Sequence, residues 1–236
     1  MTKSTKKKDV VKKEETPVAV TQQKEYDSNI SNEDLILPRV ELLQALSPTV
    51  VAGDASPGQI VNNITKNDLG EKVTLVPVYL TKNWIRWRKR EEGGGMMWRS
   101  NDPTDERVIE ESKWGADGSK PLATAYLNFL CLIKEEDLPI IVSFANTNYK
   151  TGRKWLTLTK MSMGHLWDSQ YALTAHQQTN NKGTFYVFDV SRVGPSTAAQ
   201  KEKAGTFGKL FAGKDLNFEA ESESTKPTTE GMGDEF

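Results

Sequence analysis

The sequence has little of what a catalytic or disulfide-bonded site requires. Its 236 residues contain one cysteine, Cys131, and two histidines, His165 and His176. A single thiol cannot form an intramolecular disulfide, which fits a reducing compartment. The apolar neighbours of Cys131 predict a place in the core, and the histidines show no metal-ligand spacing with it. Nucleophilic catalysis and zinc binding are therefore disfavoured.

Other enzyme signatures are missing as well. Gly93-Gly94-Gly95 lacks the Lys-Ser/Thr pair of a phosphate-binding loop. Glu110-Glu111 and Glu135-Glu136 lie in charged segments that predict solvated surface. Asp189 alone does not supply the acid cluster of a two-metal nuclease. We therefore predict no catalytic residue, no metal and no cofactor.

Long apolar runs are also absent. No segment approaches the roughly 20 apolar residues of a membrane-spanning helix. The basic start, residues 1–8, has no apolar stretch behind it, so we predict neither a secretory signal nor a membrane partner. Hydrophobic residues make up only 36% of the sequence, which predicts that part of the chain is solvated tail.

The net charge of −1 conceals an uneven distribution. Residues 1–34 carry seven lysines and seven acids, and residues 213–236 carry two lysines and seven acids. Residues 35–212 therefore keep 22 basic and 18 acidic residues, a net charge of +4. We predict a disordered Lys-rich arm over 1–34, a folded domain over 35–212 and a disordered acidic tail over 213–236.

The folded region has a mainly β pattern. Its predicted strands are Gln59–Ile64, Lys72–Tyr79, Asn83–Lys89, Ala123–Ile133, Leu138–Phe144, Lys154–Lys160, Tyr171–His176 and Thr184–Val190. These strands, joined by short turns, predict a barrel or sandwich. Two pairs are predicted to form hairpins, Ala123–Ile133 with Leu138–Phe144 and Tyr171–His176 with Thr184–Val190. Pro77 predicts a sheet edge or a bulge. Ser196–Phe211 is the strongest helix signal, with Ser196 as its N-cap. The polar segment Glu91–Pro121 predicts a long insertion loop.

Two clusters combine basic and aromatic side chains. The first lies on one face of the predicted strand Asn83–Lys89 and on the insertion: Trp84, Arg86, Arg88, Arg90, Trp98 and Arg99. The second lies in a predicted turn: Tyr149, Lys150, Arg153, Lys154 and Trp155. Rings that stack on bases beside cations that hold phosphates are typical of single-strand binding. The structural alternative is that Trp84 and Trp155 pack in the core and the cations are solvated.

The acidic tail ends in Asp234-Glu235-Phe236. A ring beside two carboxylates and the α-carboxylate forms a compact ligand, which a partner can bury in a pocket and pair with Arg or Lys. The same anionic segment can compete with nucleic acid for a basic groove. The alternative is a solvated tail that happens to end in phenylalanine.

Together these features resemble the single-stranded-DNA-binding proteins of tailed bacteriophages. The stretches Leu37–Pro48 and Ser143–Lys154 look like recurring segments of small phage proteins in this group. The resemblance implies an OB-like Greek-key barrel that coats single-stranded DNA during replication or recombination. It also implies tail contacts to polymerase, helicase-primase or recombination proteins in the cytoplasm of an infected bacterium, and it leaves homo-oligomerisation open. The insertion and the Lys-rich arm depart from the family pattern.

Other functions remain open at this point. A strand-annealing or recombination-mediator protein would share these features and differ in an annealing assay. A virion structural protein would have core tryptophans and no salt-dependent binding to single strands. A nuclease requires clustered acids, which the sequence does not show.

Overall fold

A six-stranded antiparallel sheet with helices on both faces forms the described part of the protein. The computed structural model describes residues 36–133, 138–162, 164–181 and 183–213. The predicted N-terminal arm, almost all of the acidic tail and the charged turn at 134–137 lie outside the described residues. The strands are β1 (Val40–Leu42), β2 (Ile60–Asn62), β3 (Lys72–Trp87), β4 (Met96–Ser100), β5 (Ala123–Ile133), β6 (Ile140–Phe144), β7 (Ser169–Asn180) and β8 (Gly183–Pro195). The helices are α1 (Pro48–Val51), α2 (Glu106–Glu111), α3 (Tyr149–Met161) and α4 (Ala198–Phe211).

The strand order places β3 at the centre of the sheet. The order is β6-β5-β3-β7-β8, with β4 paired to one end of β3, while β1 and β2 form a separate two-stranded ladder. The prediction of a mainly β body with a C-terminal helix is confirmed. The sheet is not closed, because β6 and β8 at its two ends do not pair with each other in the described residues.

Both predicted hairpins are confirmed, and β3 shows how a bulge hides a long strand. The ladders β5–β6 and β7–β8 pair as expected. Two strands were predicted where β3 runs unbroken for 16 residues. Its register with β5 shifts between Pro77 and Tyr79, which confirms the predicted bulge at Pro77. The extra residue of the bulge changes which alternate side chains face the core. The residues before and after it therefore have different apolar patterns and look like two separate strands in the sequence.

The predicted strand Lys154–Lys160 is wrong, because these residues lie in α3. The alternation of Leu156 and Leu158 with threonines suggested a period of two. The helix instead buries Gly152, Trp155 and Thr159, which share one face. Gly152 allows close contact with the sheet, since a Cβ there would lie 2.6 Å from Cβ of Phe144.

Each face of the sheet has its own apolar cluster. Under α3, Trp155 stacks on Phe129 with ring centroids 4.2 Å apart, and Phe144 meets both rings edge-on. Cys131 is fully buried in this cluster, as predicted, and burial raises the pKa of its thiol well above the usual range. On the opposite face, Ala204 of α4 packs on a second cluster. The sheet is thus the middle layer of three.

The predicted insertion loop is folded rather than irregular. Residues 91–121 include β4 and α2. Asp105 caps α2 by accepting a hydrogen bond from the backbone N–H of Arg107, and the Arg107 side chain hydrogen-bonds the same carboxylate and holds its pKa well below the usual range. Val108 is the one buried residue of α2. A helix with a single buried residue leaves no clear apolar period in the sequence.

Side chains hydrogen-bond the outer edge of β8. The amide of Gln44 donates to the carbonyl of Tyr186 and accepts from its backbone N–H, at 3.0 and 2.9 Å. Two residues on, Asn148 accepts from the N–H of Phe188 and Thr151 donates to its carbonyl. The outward backbone N–H and C=O groups of Tyr186 and Phe188 therefore have side-chain partners instead of a neighbouring strand. This protects the edge of β8 from pairing with another chain.

We expect Gln44→Ala to lower the unfolding free energy by about 1–3 kcal/mol, because it leaves two backbone groups of Tyr186 without partners. Urea denaturation measures the change. Gln178→Ala, at an exposed site whose side chain hydrogen-bonds the His176 ring, is the control and should change little. An equal effect of the two substitutions would show that the amide does not hold this edge.

Candidate nucleic-acid interface

The predicted Trp84–Arg86 face of β3 is covered. Both side chains lie on one side of the strand, as alternation requires, but α2 packs over them. Trp84 is only 8% exposed and clusters with Val108 and Ala123. The guanidinium of Arg86 donates to the carbonyl of Leu122 at 3.0 Å and lies 3.4 Å from the Glu111 carboxylate. The assignment of Trp84 as an open stacking platform is therefore wrong.

The rest of the first cluster is divided between different surfaces. β3 ends at Trp87, so Arg88 and Arg90 follow the strand instead of extending its face. Arg88 is exposed, and the side chain of Arg90 lies outside the described part. Trp98 packs beside Trp84 beneath the guanidinium of Arg107, 5.2 Å from its ring. Arg99 pairs across from Ile85 and so lies on the opposite face.

The second cluster is brought together on α3, with one exception. Lys150, Arg153 and Lys154 are exposed, and Tyr149 is partly buried against the core. Trp155 is fully buried. Its predicted contact with a base is wrong, because the ring is the centre of the aromatic cluster rather than part of the surface.

The outer side of α3 is a cationic stripe. Lys150, Arg153, Thr157 and Lys160 recur at spacings of three and four, so they share one helix face, and all are exposed. We call this set the α3 stripe. It extends over about 15 Å at 1.5 Å per residue. The helix contains four basic residues and no acid.

Ion pairing leaves most of these charges available. Lys154, beside the stripe, hydrogen-bonds Asp189 at 2.8 Å, and this bond lowers the pKa of Asp189. Within the described residues, Lys150, Arg153 and Lys160 make no ion pair. Lys150 and Arg153 also lie near the helix N-terminus, where the helix dipole disfavours cations. A bound anion would offset both the repulsion and the dipole.

The insertion lies on the same face of the sheet as α3. Ala123 and Ala125 of β5 pack in the cluster beneath α2, while Leu127 and Phe129 pack in the cluster beneath α3. These four positions alternate along β5 and so point to one side. In the β3–β5 register Lys82 lies opposite Leu127, between the positions that α2 and α3 cover. Its side chain is exposed, and its Nζ lies 4.5 Å from the ring centroid of Trp84.

One exposed aromatic residue of the insertion was not among the predicted site residues. Trp114 follows α2 and is 66% exposed. The signal in the sequence was its setting, Lys113-Trp114-Gly115, because an isolated tryptophan in a polar, glycine-containing segment has no apolar period to place it in a core.

The fold and the stripe describe a mainly β protein with a cationic helical surface on α3. The chain belongs to the family described as Pam3 phage gp34-like protein, whose model matches residues 8–217. It is therefore a bacteriophage protein. No curated protein and no solved structure matches the chain.

The described ranges hold neither a candidate membrane span nor a metal-binding cluster. No helix there is long and apolar enough to cross a membrane. Nor do the described histidine, cysteine and acidic side chains form a group of three that could hold a metal ion.

Proposed function

We propose that this phage protein binds single-stranded DNA through the face that carries the α3 stripe, and coats and protects it during replication or recombination. The observation that carries the proposal is the stripe itself: three exposed cations on a helix without a single acid. Surface charges usually occur with both signs interspersed. A stripe of positive charge that no acidic side chain neutralises within the described residues is suited to bind a polyanion.

The chemistry of such a surface is counterion release. Each phosphate that a Lys or Arg neutralises frees condensed cations from the nucleic acid, so binding weakens as salt rises. Lys82 lies on the same face and adds a further exposed cation. Recruitment of a polymerase or helicase-primase by Asp234, Glu235 and Phe236 belongs to the same proposal, and those residues lie outside the described part.

Neutralising the stripe tests the proposal. We expect the triple variant Lys150→Gln, Arg153→Gln and Lys160→Gln to bind oligo-dT far more weakly than the parent. Three fewer phosphate contacts should reduce the slope of log affinity against log salt by about 2, at about 0.7 per contact on single strands. Fluorescence anisotropy over a range of salt concentrations measures affinity and slope together.

The opposite face of the sheet supplies a matched control. Lys201, Lys203 and Lys209 lie on α4, and their replacement by Gln makes the same change in net charge. It also removes the ion pair between Lys201 and Asp168, so circular dichroism must first show that this control variant is folded. Equal losses in the two triple variants would mean that total charge, not the α3 stripe, drives binding. A parent protein without salt-dependent affinity for oligo-dT would refute the proposed function, and tighter binding to duplex than to single strands would refute the choice of ligand.

A further inference from the structure

Trp114 is unlike the other tryptophans in the molecule. The chain has six, and Trp84 and Trp155 are buried. The three that are partly buried have partners: Trp87 donates to the Tyr126 hydroxyl, Trp98 lies beneath Arg107, and Trp167 stacks on His165. Within the described residues, the indole of Trp114 makes no hydrogen bond and no ring contact, and it is 66% exposed.

The backbone that carries this ring is well held. Directly after it, the N–H of Gly115 donates to the carbonyl of Ser119, and the N–H of Gly118 donates to the carbonyl of Gly115. Asp117 closes the turn by accepting from the N–H of Ser119. A ring on an ordered turn loses less entropy when a ligand binds than one on a loose chain.

The insertion is also fixed to the sheet at both ends of this segment. Before Trp114, Val108 is buried against Trp84. After it, the carbonyl of Leu122 accepts from Arg86, whose guanidinium also contacts Glu111. The segment that carries Trp114 is therefore held at both ends to the sheet near the end of β3, and α2 packs on the same face of the sheet as α3.

The surroundings of the ring favour a nucleic-acid base as its ligand. Lys113 precedes it and Lys120 follows the turn, and both are exposed. Glu110 of α2 and Asp117 of the turn are exposed near them, so the positive charge that attracts a polyanion to this side comes from Lys82 and the α3 stripe rather than from the turn itself. An indole offers a π-face to any base, and such stacking is open only where bases are unpaired.

We infer that Trp114 is a base-stacking residue that makes the cationic face selective for single strands over duplex. The inference rests on the proposed function and adds to it the contact that distinguishes the two forms of nucleic acid. The α3 stripe supplies affinity for phosphate, which both forms carry, and Trp114 supplies affinity for an exposed base, which only a single strand offers.

The test compares the parent with Trp114→Ala and Trp114→Phe on oligo-dT and on a duplex of equal length. We expect Trp114→Ala to bind oligo-dT about 5- to 150-fold more weakly, the range that one lost stacking contact gives. Duplex affinity and the salt slope should stay unchanged, since stacking releases no counterions. Trp114→Phe should keep most of the affinity and lose most of the fluorescence quenching that DNA causes in the parent.

Failures of the two proposals are distinguishable. If the parent binds oligo-dT through the α3 stripe and Trp114→Ala binds it equally well, the inference is overturned and the proposed function stands. Equal losses on single strands and duplex would overturn the selectivity. If the parent does not bind oligo-dT, both proposals fail. Trp167→Phe, on the opposite face, is the control for fluorescence and should quench as the parent does.

Discussion

Replacing Trp155 with alanine is expected to lower the unfolding free energy by about 3–5 kcal/mol, the range for loss of a buried aromatic side chain. The ring is fully buried. It stacks on Phe129, meets Phe144 edge-on and lies 5.6 Å from the ring of Tyr171. A cavity at this point would separate α3 from the sheet. Urea denaturation followed by circular dichroism measures the loss, and the unfolding slope should remain that of the parent.

Trp155→Phe distinguishes a core role from a binding role. Phenylalanine keeps an aromatic contact with Phe129, so it should restore a large part of the lost stability. Folded Trp155→Phe protein should bind oligo-dT as tightly as the parent, because the ring is not part of the surface. A normal stability together with a selective loss of DNA affinity would contradict the structure and return Trp155 to the binding site.

The sequence predicted the β hairpins well because their patterns are local. In β5 and β6 the apolar runs and the charged turn between them specify pairing without reference to the rest of the chain. The C-terminal helix was found for the same reason, although its cap is Thr197 rather than Ser196. Thr197 accepts from the backbone N–H of Gln200, and Gln200 accepts in return from the N–H of Thr197. This reciprocal pair is a capping box, and it fixes where the helix starts.

The sequence failed where tertiary packing decides the structure. In α3, Thr157 and Thr159 favour a strand by intrinsic preference, but Gly152 and Trp155 fit against Phe144 and Phe129 only on a helix. The α2 helix was missed because a single buried residue, Val108, leaves no period to detect. Neither helix can be predicted without knowing which residues of the sheet pack against it.

In the candidate site, too, local patterns were predicted correctly and features that depend on tertiary packing were not. Alternation correctly placed Trp84 and Arg86 on one side of β3, but alternation cannot tell whether that side faces solvent or the insertion. The basic residues at 150, 153 and 154 were recognised from composition alone. That Lys160 joins two of them in a stripe follows only from the helix, because in a strand residues 153 and 160 would face opposite sides.

Trp84→Ala should detach the insertion from the sheet while leaving the core folded. Trp84 packs against Val108, Ala123 and the partly buried Trp98, whereas the main aromatic cluster lies farther along β5 around Phe129. Loss of the ring should lower the free energy of local opening by up to about 3–5 kcal/mol. The lower end of this range corresponds to roughly a hundredfold rise in the open population. Limited proteolysis with mass analysis should show faster cleavage between residues 90 and 122, with the remaining chain resistant.

Trp84→Ala also tests whether the packing of the insertion on the sheet is needed for Trp114 to bind single strands. If Trp84 holds the insertion and the insertion presents Trp114, then Trp84→Ala should lose the preference for single strands as Trp114→Ala does. It should keep the salt slope that the α3 stripe provides, since α3 packs on a separate cluster. Trp167→Ala, a partly buried tryptophan on the opposite face, is the control and should retain both the preference and the protease resistance of residues 90–122. Cooperative unfolding of the whole domain in Trp84→Ala would show instead that Trp84 belongs to the global core, and Trp114 would then have to be tested by its own substitutions alone.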